Sequence, residues 1–548
     1  MQLFSVVKQH SKKGYLGWSI ALGLLAGACS TGLLFIINEY MYDNLPWDKA
    51  RTVLIFCIVL PIAGVSRYIS AYMLAKLGAY AAHDLREELG RRMLGAPLRR
   101  LEELGTHRMM VSLTDDIIAV TDAFANIPNF FINVAVVLGC LTYMGWLSGE
   151  ILLIVLGFLV VGSLAYSLPL GAGVRRQELA RETEDELFEH FRGLTQGTKE
   201  LKMQRDRRRD FFGIFTESTA TFRDLTLAAT RVFLAAANVG NVLFFILLGI
   251  ILFLVPEMNP MVDARMMGSF VLVLIYMLTP LQLVLNDFPL LTQADVALRK
   301  IDRLGLSLVR GIEEKDSEKE VDAGWKTLEL KDVRHTYHHE SEDREFSIGP
   351  MDLSFQPGEL VIMAGGNGSG KTTLAKILLS LYPPEEGKLL LDGEPIDEHT
   401  REAFRQMFSV VFSDFFLFDA LLGLKAPDLD DRAREYLKSL RLQNKVRVEA
   451  GQLSTIDLSQ GQRKRLALLT AFLEDRPIYL FDEWAADQDP EFKDVFYRQI
   501  LPTLKEKGKL VISISHDDRY YGVADRIIKL DSGQLVYDKP ASETEYAH

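Results

Sequence analysis

The residues in this chain best suited to chemistry on a phosphate are Gly365-Gly366-Asn367-Gly368-Ser369-Gly370-Lys371-Thr372, which match G-x-x-x-x-G-K-[ST]. Glycines let successive backbone N–H groups turn inward as an anion nest, and a helix starting at the loop adds its positive dipole end. Lys371 can reach the β- and γ-phosphates of a nucleotide, and the Thr372 hydroxyl can hold Mg²⁺. With Thr373, the residues Gly365 and Asn367 to Thr372 are the candidate nucleotide contacts of this loop. A second group lies more than a hundred positions on, where the apolar run Ile478-Tyr479-Leu480-Phe481 ends in Asp482-Glu483. A strand there places Asp482 at its tip to bind Mg²⁺ directly or through water, with Glu483 beside it to polarise an attacking water. Alone, two acids after an apolar run are a common solvated strand end; paired with the glycine loop they read as the second half of an ATP site.

These groups need a strand before the loop and a helix after it. Leu360 to Ala364 supplies the strand-like run and Leu374 to Leu379 the helix-like one. Between the two halves stands Leu458-Ser459-Gln460-Gly461-Gln462, followed by Arg463-Lys464-Arg465. This stretch resembles the LSGGQ signature of ATP-binding cassette (ABC) proteins, with Gln460 in place of one glycine. The resemblance covers residues 326–540 and runs in the family's order. It implies that Tyr337 stacks on adenine, that Ser459, Gly461 and Gln462 contact nucleotide, that Asp489 closes the D-loop, and that His516 is the switch histidine. The apolar run Leu510 to Ile514 precedes that histidine.

The rest of the chain is organised for a membrane. Six apolar stretches approach or exceed the roughly 20 residues a bilayer requires: about 15–38, 52–75, 127–147, 150–172, 233–255 and 266–288. The first follows Lys8, Lys12 and Lys13, and its apolar run continues past Ala26-Gly27-Ala28-Cys29, so it reads as an uncleaved span. Basic residues crowd the segments 76–126 and 175–232, among them Arg91, Arg92, Arg99, Arg100, Arg108, Arg175, Arg176, Arg181, Arg205, Arg207, Arg208 and Arg209. The short connections carry acids instead (Glu39, Asp43, Asp48, Glu257, Asp263), which places both long loops, the N-terminus and the ATPase in the cytoplasm. Few prolines and apolar residues at three- and four-residue spacing predict helical extensions, with turning points near 105–116 and 182–197, where type I-like ABC exporters place coupling helices. The polar, acidic run 311–323 reads as a linker.

Other features bound the reading. A net charge of −12 argues against nucleic acid as a partner. Cys29, Cys57 and Cys140 sit in apolar runs and read as small hydrophobes rather than a disulfide framework. Polar residues within spans face an interior more often than lipid; Asn38, Glu39, Arg67, Asn133, Asn238, Asn241, Gln282, Asn286 and Asp287 are the candidates. Glu39 and Asp287 lie near span ends, which favours a structural or headgroup-level role.

The fold expected is an α-helical six-span transmembrane domain of the type I-like ABC exporter class, residues 1–310, joined by a linker, 311–325, to an α/β P-loop NTPase cassette, 326–548. The resemblance implies ATP and Mg²⁺ as cofactors and a two-fold homodimer in the bacterial inner membrane, since each ATP is held between the phosphate loop of one cassette and the signature of another. Departures narrow the branch. Ser413 stands where the family has the Q-loop glutamine, which makes it a weaker metal candidate beside Thr372 and Asp482. The stretch from Ser413 to Ser459 is short, so the helical subdomain looks trimmed. Trp484 and Asp487 are unusual in Asp482 to Pro490. The combination resembles the cyclic-peptide and siderophore exporters, the pyoverdine-precursor type most of all, and implies a peptide-derived or siderophore-precursor cargo. Lipid or glycan flippases, exporters of antimicrobial cyclic peptides and an ATP-gated channel are the alternatives.

Overall fold

A computed structural model describes residues 14–42, 47–258, 263–309, 324–338 and 345–544. The chain forms two compact units: residues up to Arg86 with Thr114–Ile301, and Glu87–Leu113 with the residues from Asp302 onward.

The first unit is helical. Its long elements are α1 (Tyr15–Met41) and α2 (Lys49–Leu94); α2 runs on into the second unit, to which α3 (Leu98–Leu104) and α4 (Thr106–Val111) also belong. The helical unit continues with α5 (Ile117–Leu147), α6 (Gly149–Gln196), the short α7 (Thr198–Met203), α8 (Arg205–Gly249) and α9 (Ala264–Val309), of which the residues from Asp302 on belong to the second unit. Among the described residues five helices are long and apolar enough to cross a bilayer, and Gly149–Ala165 in α6 is a shorter apolar stretch. Only 17–33% of each of those five apolar windows is buried within the chain, so most of their side chains are left for lipid or for another copy.

Small residues and buried polar groups join these helices, as expected where lipid removes the hydrophobic drive. A Cβ on Gly27 of α1 would lie 2.7 Å from the Ile132 carbonyl of α5, so glycine permits the close crossing. Ser19 donates to the Ser70 carbonyl at 3.0 Å and Ser70 returns a bond to the Ser19 carbonyl at 2.8 Å, tying α1 to α2. At the far end of α1, Asn38 donates to Tyr143 (2.6 Å) and Ser269 (2.8 Å), Tyr143 donates to Glu39 (2.8 Å), and Arg265 reaches Glu39 at 3.2 Å. Asn38 and Glu39 thus serve a buried joint between α1, α5 and α9. Gln282 of α9 donates to Asn241 of α8 at 3.3 Å. The side chains of Asn286, Arg108 and Arg181 and all of 310–323 lie outside the described residues.

The turn expected at 182–197 lies elsewhere. Those residues continue α6 to Gln196, because the segment has no proline and Gly197 is the first residue to leave the helix. The chain reverses at Gly197–Gln204, around α7.

The second unit holds two sheets. One has the order β2-β1-β4-β5, from β1 (Leu328–His338), β2 (Glu345–Phe355), β4 (Glu386–Leu391) and β5 (Glu394–Pro395). The other has the order β12-β11-β3-β10-β9-β6, from β3 (Leu360–Ala364), β6 (Phe408–Val411), β9 (Ile478–Asp482), β10 (Leu510–Ile514), β11 (Arg526–Asp531) and β12 (Gln534–Pro540). Strands β11, β3, β10, β9 and β6 are mutually parallel, and β3, β9 and β10 are buried at every residue, as expected of a sheet covered on both faces. Helix α10 (Lys371–Leu378) follows β3, and α13 (Gln460–Glu474) leads into β9. Between them lie α11 (Arg401–Arg405), a single subdomain helix α12 (Leu429–Ser439), and a hairpin, β7 (Val448–Glu449) with β8 (Gln452–Leu453). Trp325, just before β1, is buried in this unit's core. Helix α3 belongs here as well: Leu98 packs on the core, Arg99 bonds Glu385 at 2.7 Å, and Glu102 accepts from Lys376 at 2.8 Å and from the Tyr382 hydroxyl.

Candidate active site

Strand order brings the distant motifs together. Because β10 lies between β3 and β9, the loop after β3, the acids ending β9 and the histidine after β10 share the carboxyl end of one parallel sheet, where open α/β sheets bind ligands. Gly365 (φ 152°) and Gly370 (φ 97°) shape the loop; a Cβ on Gly365 would lie 2.3 Å from the Leu530 carbonyl, so only glycine fits. Ser369 is buried, Asn367 and Gly368 are exposed at the tip, and Thr372 and Thr373 open the helix half-buried.

The Lys371 ammonium folds back over the loop and donates to the carbonyls of Gly365 (3.0 Å) and Gly366 (2.8 Å). It also stands 3.9 Å from Glu483. Burial pushes its pKa down, opposed by the charges of Glu483 and Asp482. Asp482 is wholly buried, with one oxygen accepting from Thr372 (3.4 Å) and the other from Ser413 (3.1 Å). Burial raises its pKa and the Ser413 hydrogen bond lowers it. Ser413 therefore stands beside the acid, with its hydroxyl donating to the carboxylate. A carboxylate between two hydroxyls is a hard-oxygen donor set that fits Mg²⁺, a cation that prefers one or two carboxylates together with phosphate oxygens and water.

Glu483 adopts a left-handed backbone (φ 48°, ψ 31°), and its carboxylate lies 2.6 Å from His516 Nε2. A cavity of about 290 Å³ adjoins this pair, lined further by Lys493, Tyr497, Asp517 and Arg519. The cavity opens on the side of Lys493, Tyr497 and Arg519, while toward the phosphate loop Glu483 comes within 3.9 Å of the Lys371 ammonium.

The signature residues lie on a different support. Ser459 is exposed at the start of α13, and its N–H donates to Gln462 at 3.3 Å. Their neighbours bond to the turn after β9: Gln460 to Asp487 (3.2 Å), Gln488 to the Gly461 carbonyl (3.0 Å), Lys464 to Asp487 (2.7 Å), and Arg465 to Gln488 (2.8 Å) and Asp489. Asp489 also caps the following helix through the Phe492 N–H at 2.9 Å. Lys464, Arg465 and Gln488 carry no role in the sequence reading. The available signal was the pair of oddities Trp484 and Asp487 together with the run Arg463 to Arg465. Tyr337 lies on β1, and its side chain is outside the described residues. Among the described residues no group of three or more His, Cys, Asp or Glu is placed to hold a metal ion, so any metal here depends on the Thr372–Asp482–Ser413 set.

Comparison with known proteins agrees with this geometry. The ABC transporter family matches residues 348–486, and the ABC transporter transmembrane region matches residues 16–255. The ATP-binding protein SyrD of Pseudomonas syringae pv. syringae is 35% identical over 532 residues, spanning 95% of this chain and 94% of its own. The chain belongs to the ABC transporter family. ATP-dependent lipid A-core flippases are also similar, that of Alkalilimnicola ehrlichii at 27% identity (98% of this chain, 92% of its own) and that of Bordetella pertussis at 26% (96% and 87%). The fold resembles that of a bacterial Atm1-family ABC exporter solved with ATP bound, with a TM-score of 0.74 over 97% of this chain and 96% of that one, at 17% identity. This exporter therefore combines a type I-like helical membrane domain with an ATP-hydrolysing cassette, and transport is its work.

Proposed function

We propose that two copies of this chain pair across a two-fold axis in the bacterial inner membrane, cassettes in the cytoplasm, and export a peptide-derived secondary metabolite, a siderophore precursor of the pyoverdine type, to the periplasm. Lys371 and the backbone of Gly366 to Gly370 bind the phosphates, and Tyr337 takes the adenine. Thr372, Asp482 and Ser413 hold Mg²⁺, which when bound neutralises charge on the β- and γ-phosphates. Glu483 takes the proton of the attacking water while His516, 2.6 Å away, keeps its carboxylate in place. Ser459, Gly461 and Gln462 of one copy face the phosphates held by the other, and Asp489 closes the turn beside them. The observation that carries the hydrolytic part is the convergence of Lys371, Asp482, Glu483 and His516 at three adjacent strand ends. The cargo reading rests on the resemblance of the Asp482 to Pro490 string, Ser413 and the single subdomain helix to the siderophore branch.

ATP-dependent uptake into inverted membrane vesicles tests the cargo, using acylated peptides, cyclic peptides and lipids in parallel. Uptake of the acylated siderophore precursor, with loss of secretion and of low-iron growth in a deletion strain, is the result expected. Normal secretion in the deletion overturns the siderophore. A second reading, movement of a lipid across the bilayer, is favoured by the near full-length similarity to lipid A-core flippases; stimulation of hydrolysis by lipid and not by peptide selects it.

A further inference from the structure

The left-handed backbone of Glu483 is costly for a residue with a Cβ and persists only where its surroundings hold it. Two groups of α13 do so, both from Lys464. Its ammonium lies 3.4 Å from the Glu483 carbonyl, and its own carbonyl accepts the Trp484 indole N–H at 2.7 Å. Trp484 is buried against Phe496, with ring centroids 4.3 Å apart, so the residue after Glu483 is fixed in place. The lysine side chain is only 4% exposed, and its charge is met by Asp487 at 2.7 Å. Removing an ammonium from water is expensive, and its pairing with a carboxylate that is itself exposed is weak evidence of stability. The position of this one suggests a different use: it spans the helix that presents the signature and the turn that presents the base.

We infer that Lys464 is a positioning residue for Glu483, holding the main chain at the hydrolytic carboxylate so that the signature helix and the base move as one body. The inference rests on the proposed role of Glu483. Signature contact with nucleotide orients α13; Lys464 passes that orientation to the Glu483 carbonyl and, through the indole, to Trp484. Asp487 neutralises the charge that this contact buries, and Gln460 adds a second donor to the same carboxylate oxygen at 3.2 Å.

The test uses the full-length exporter in detergent or nanodiscs, with Lys464→Met, the double variant Lys464→Met/Asp487→Asn, and Glu483→Gln as reference. Removing both charges relieves the unpaired Asp487, so the double variant regains wild-type thermal stability if the single one loses it. Both Lys464 variants are expected to bind ATP with unchanged KM and to form the closed, ATP-trapped state, while kcat falls by roughly 10- to 100-fold, the scale of a displaced catalytic group. A double variant that regains both stability and kcat overturns the inference, since the lysine then only balances charge. So does failure of either variant to reach the closed state, or a rise in KM with kcat unchanged. If Glu483→Gln itself hydrolyses normally, it is the base assignment that fails; if Glu483→Gln is inactive and the double variant is not, the positioning role alone fails.

Discussion

The strand ends of β3, β10 and β9 and the joint between α13 and residues 484–489 hold their groups by opposite means. At the strand ends the framework is backbone: Asp482 is the last residue of a wholly buried strand, and Lys371 follows a loop fixed by glycine geometry. At the joint the framework is side chains, with Lys464, Arg465, Gln460 and Gln488 each bonding across a gap between helix and turn. A packed sheet does not yield to one replacement, whereas a side-chain joint can be rebuilt residue by residue. Three of the four residue departures from the family pattern follow that division, and the fourth, Ser413, lies at the strand ends against Asp482. Gln460, Trp484 and Asp487 belong to the joint, while the phosphate loop keeps its pattern.

Glu483→Gln probes the strand ends with the largest expected effect. Phosphate release should fall by about 10²–10⁴-fold while ATP binding and thermal unfolding stay as in the wild type, because the amide matches the half-buried carboxylate in size and its oxygen can still meet His516. Loss of folding in this variant would break the contrast, since the chemistry would then depend on the same contacts as the fold. Mixing tests whether the two regions act across copies. Chains with Lys371→Ala and chains with Ser459→Arg should each be inactive alone, and a co-expressed mixture should recover hydrolysis from dimers that keep one intact composite site. Purified mixtures that stay silent refute the shared site. The smallest effect is expected of Asp489→Ala, which removes the N-cap of the helix Pro490–Val495 and the contact with Arg465. The loss should be about 1 kcal/mol in unfolding free energy, with hydrolysis reduced far less than by Glu483→Gln.

The phosphate loop and Asp482-Glu483 were legible because phosphate chemistry demands particular residue types at short, fixed spacing. The apolar runs were legible because a bilayer sets their length: five of the six expected fall in helices long enough to cross one, and the run expected at 150–172 is, among the described residues, the shorter apolar stretch Gly149–Ala165. The adjacency of β3, β10 and β9 was not, since strand order depends on crossovers that leave no local trace. Asp487 stood out as an oddity, but its partner Lys464 did not, since it reads as a surface charge until the fold buries it against that acid. Ser413 was visible as a departure and as a metal candidate with Asp482, but not as a direct hydrogen-bond donor to it, because a one-residue change says nothing about where the backbone brings the shorter side chain. The second reversal was placed too early for a plain reason. Helix-forming residues through Gln196 offer no local stop before Gly197, and the earlier placement follows the exporter resemblance rather than any residue signal.

The membership of residues 87–113 in the cassette unit bears on how such transporters are rearranged in evolution and in the laboratory. Leu98, Arg99 and Glu102 complete the surface formed by Lys376, Tyr382 and Glu385, yet they are encoded more than two hundred codons upstream, inside the membrane half of the gene. A recombination breakpoint in the linker therefore separates partners that meet in the folded protein. Chimeras joined there inherit mismatched interfaces, and a cassette cut free at residue 326 leaves the seat of Leu98 bare. Functional exchange between relatives calls for two crossovers, one on either side of the short segment 98–102, in addition to the one before β1.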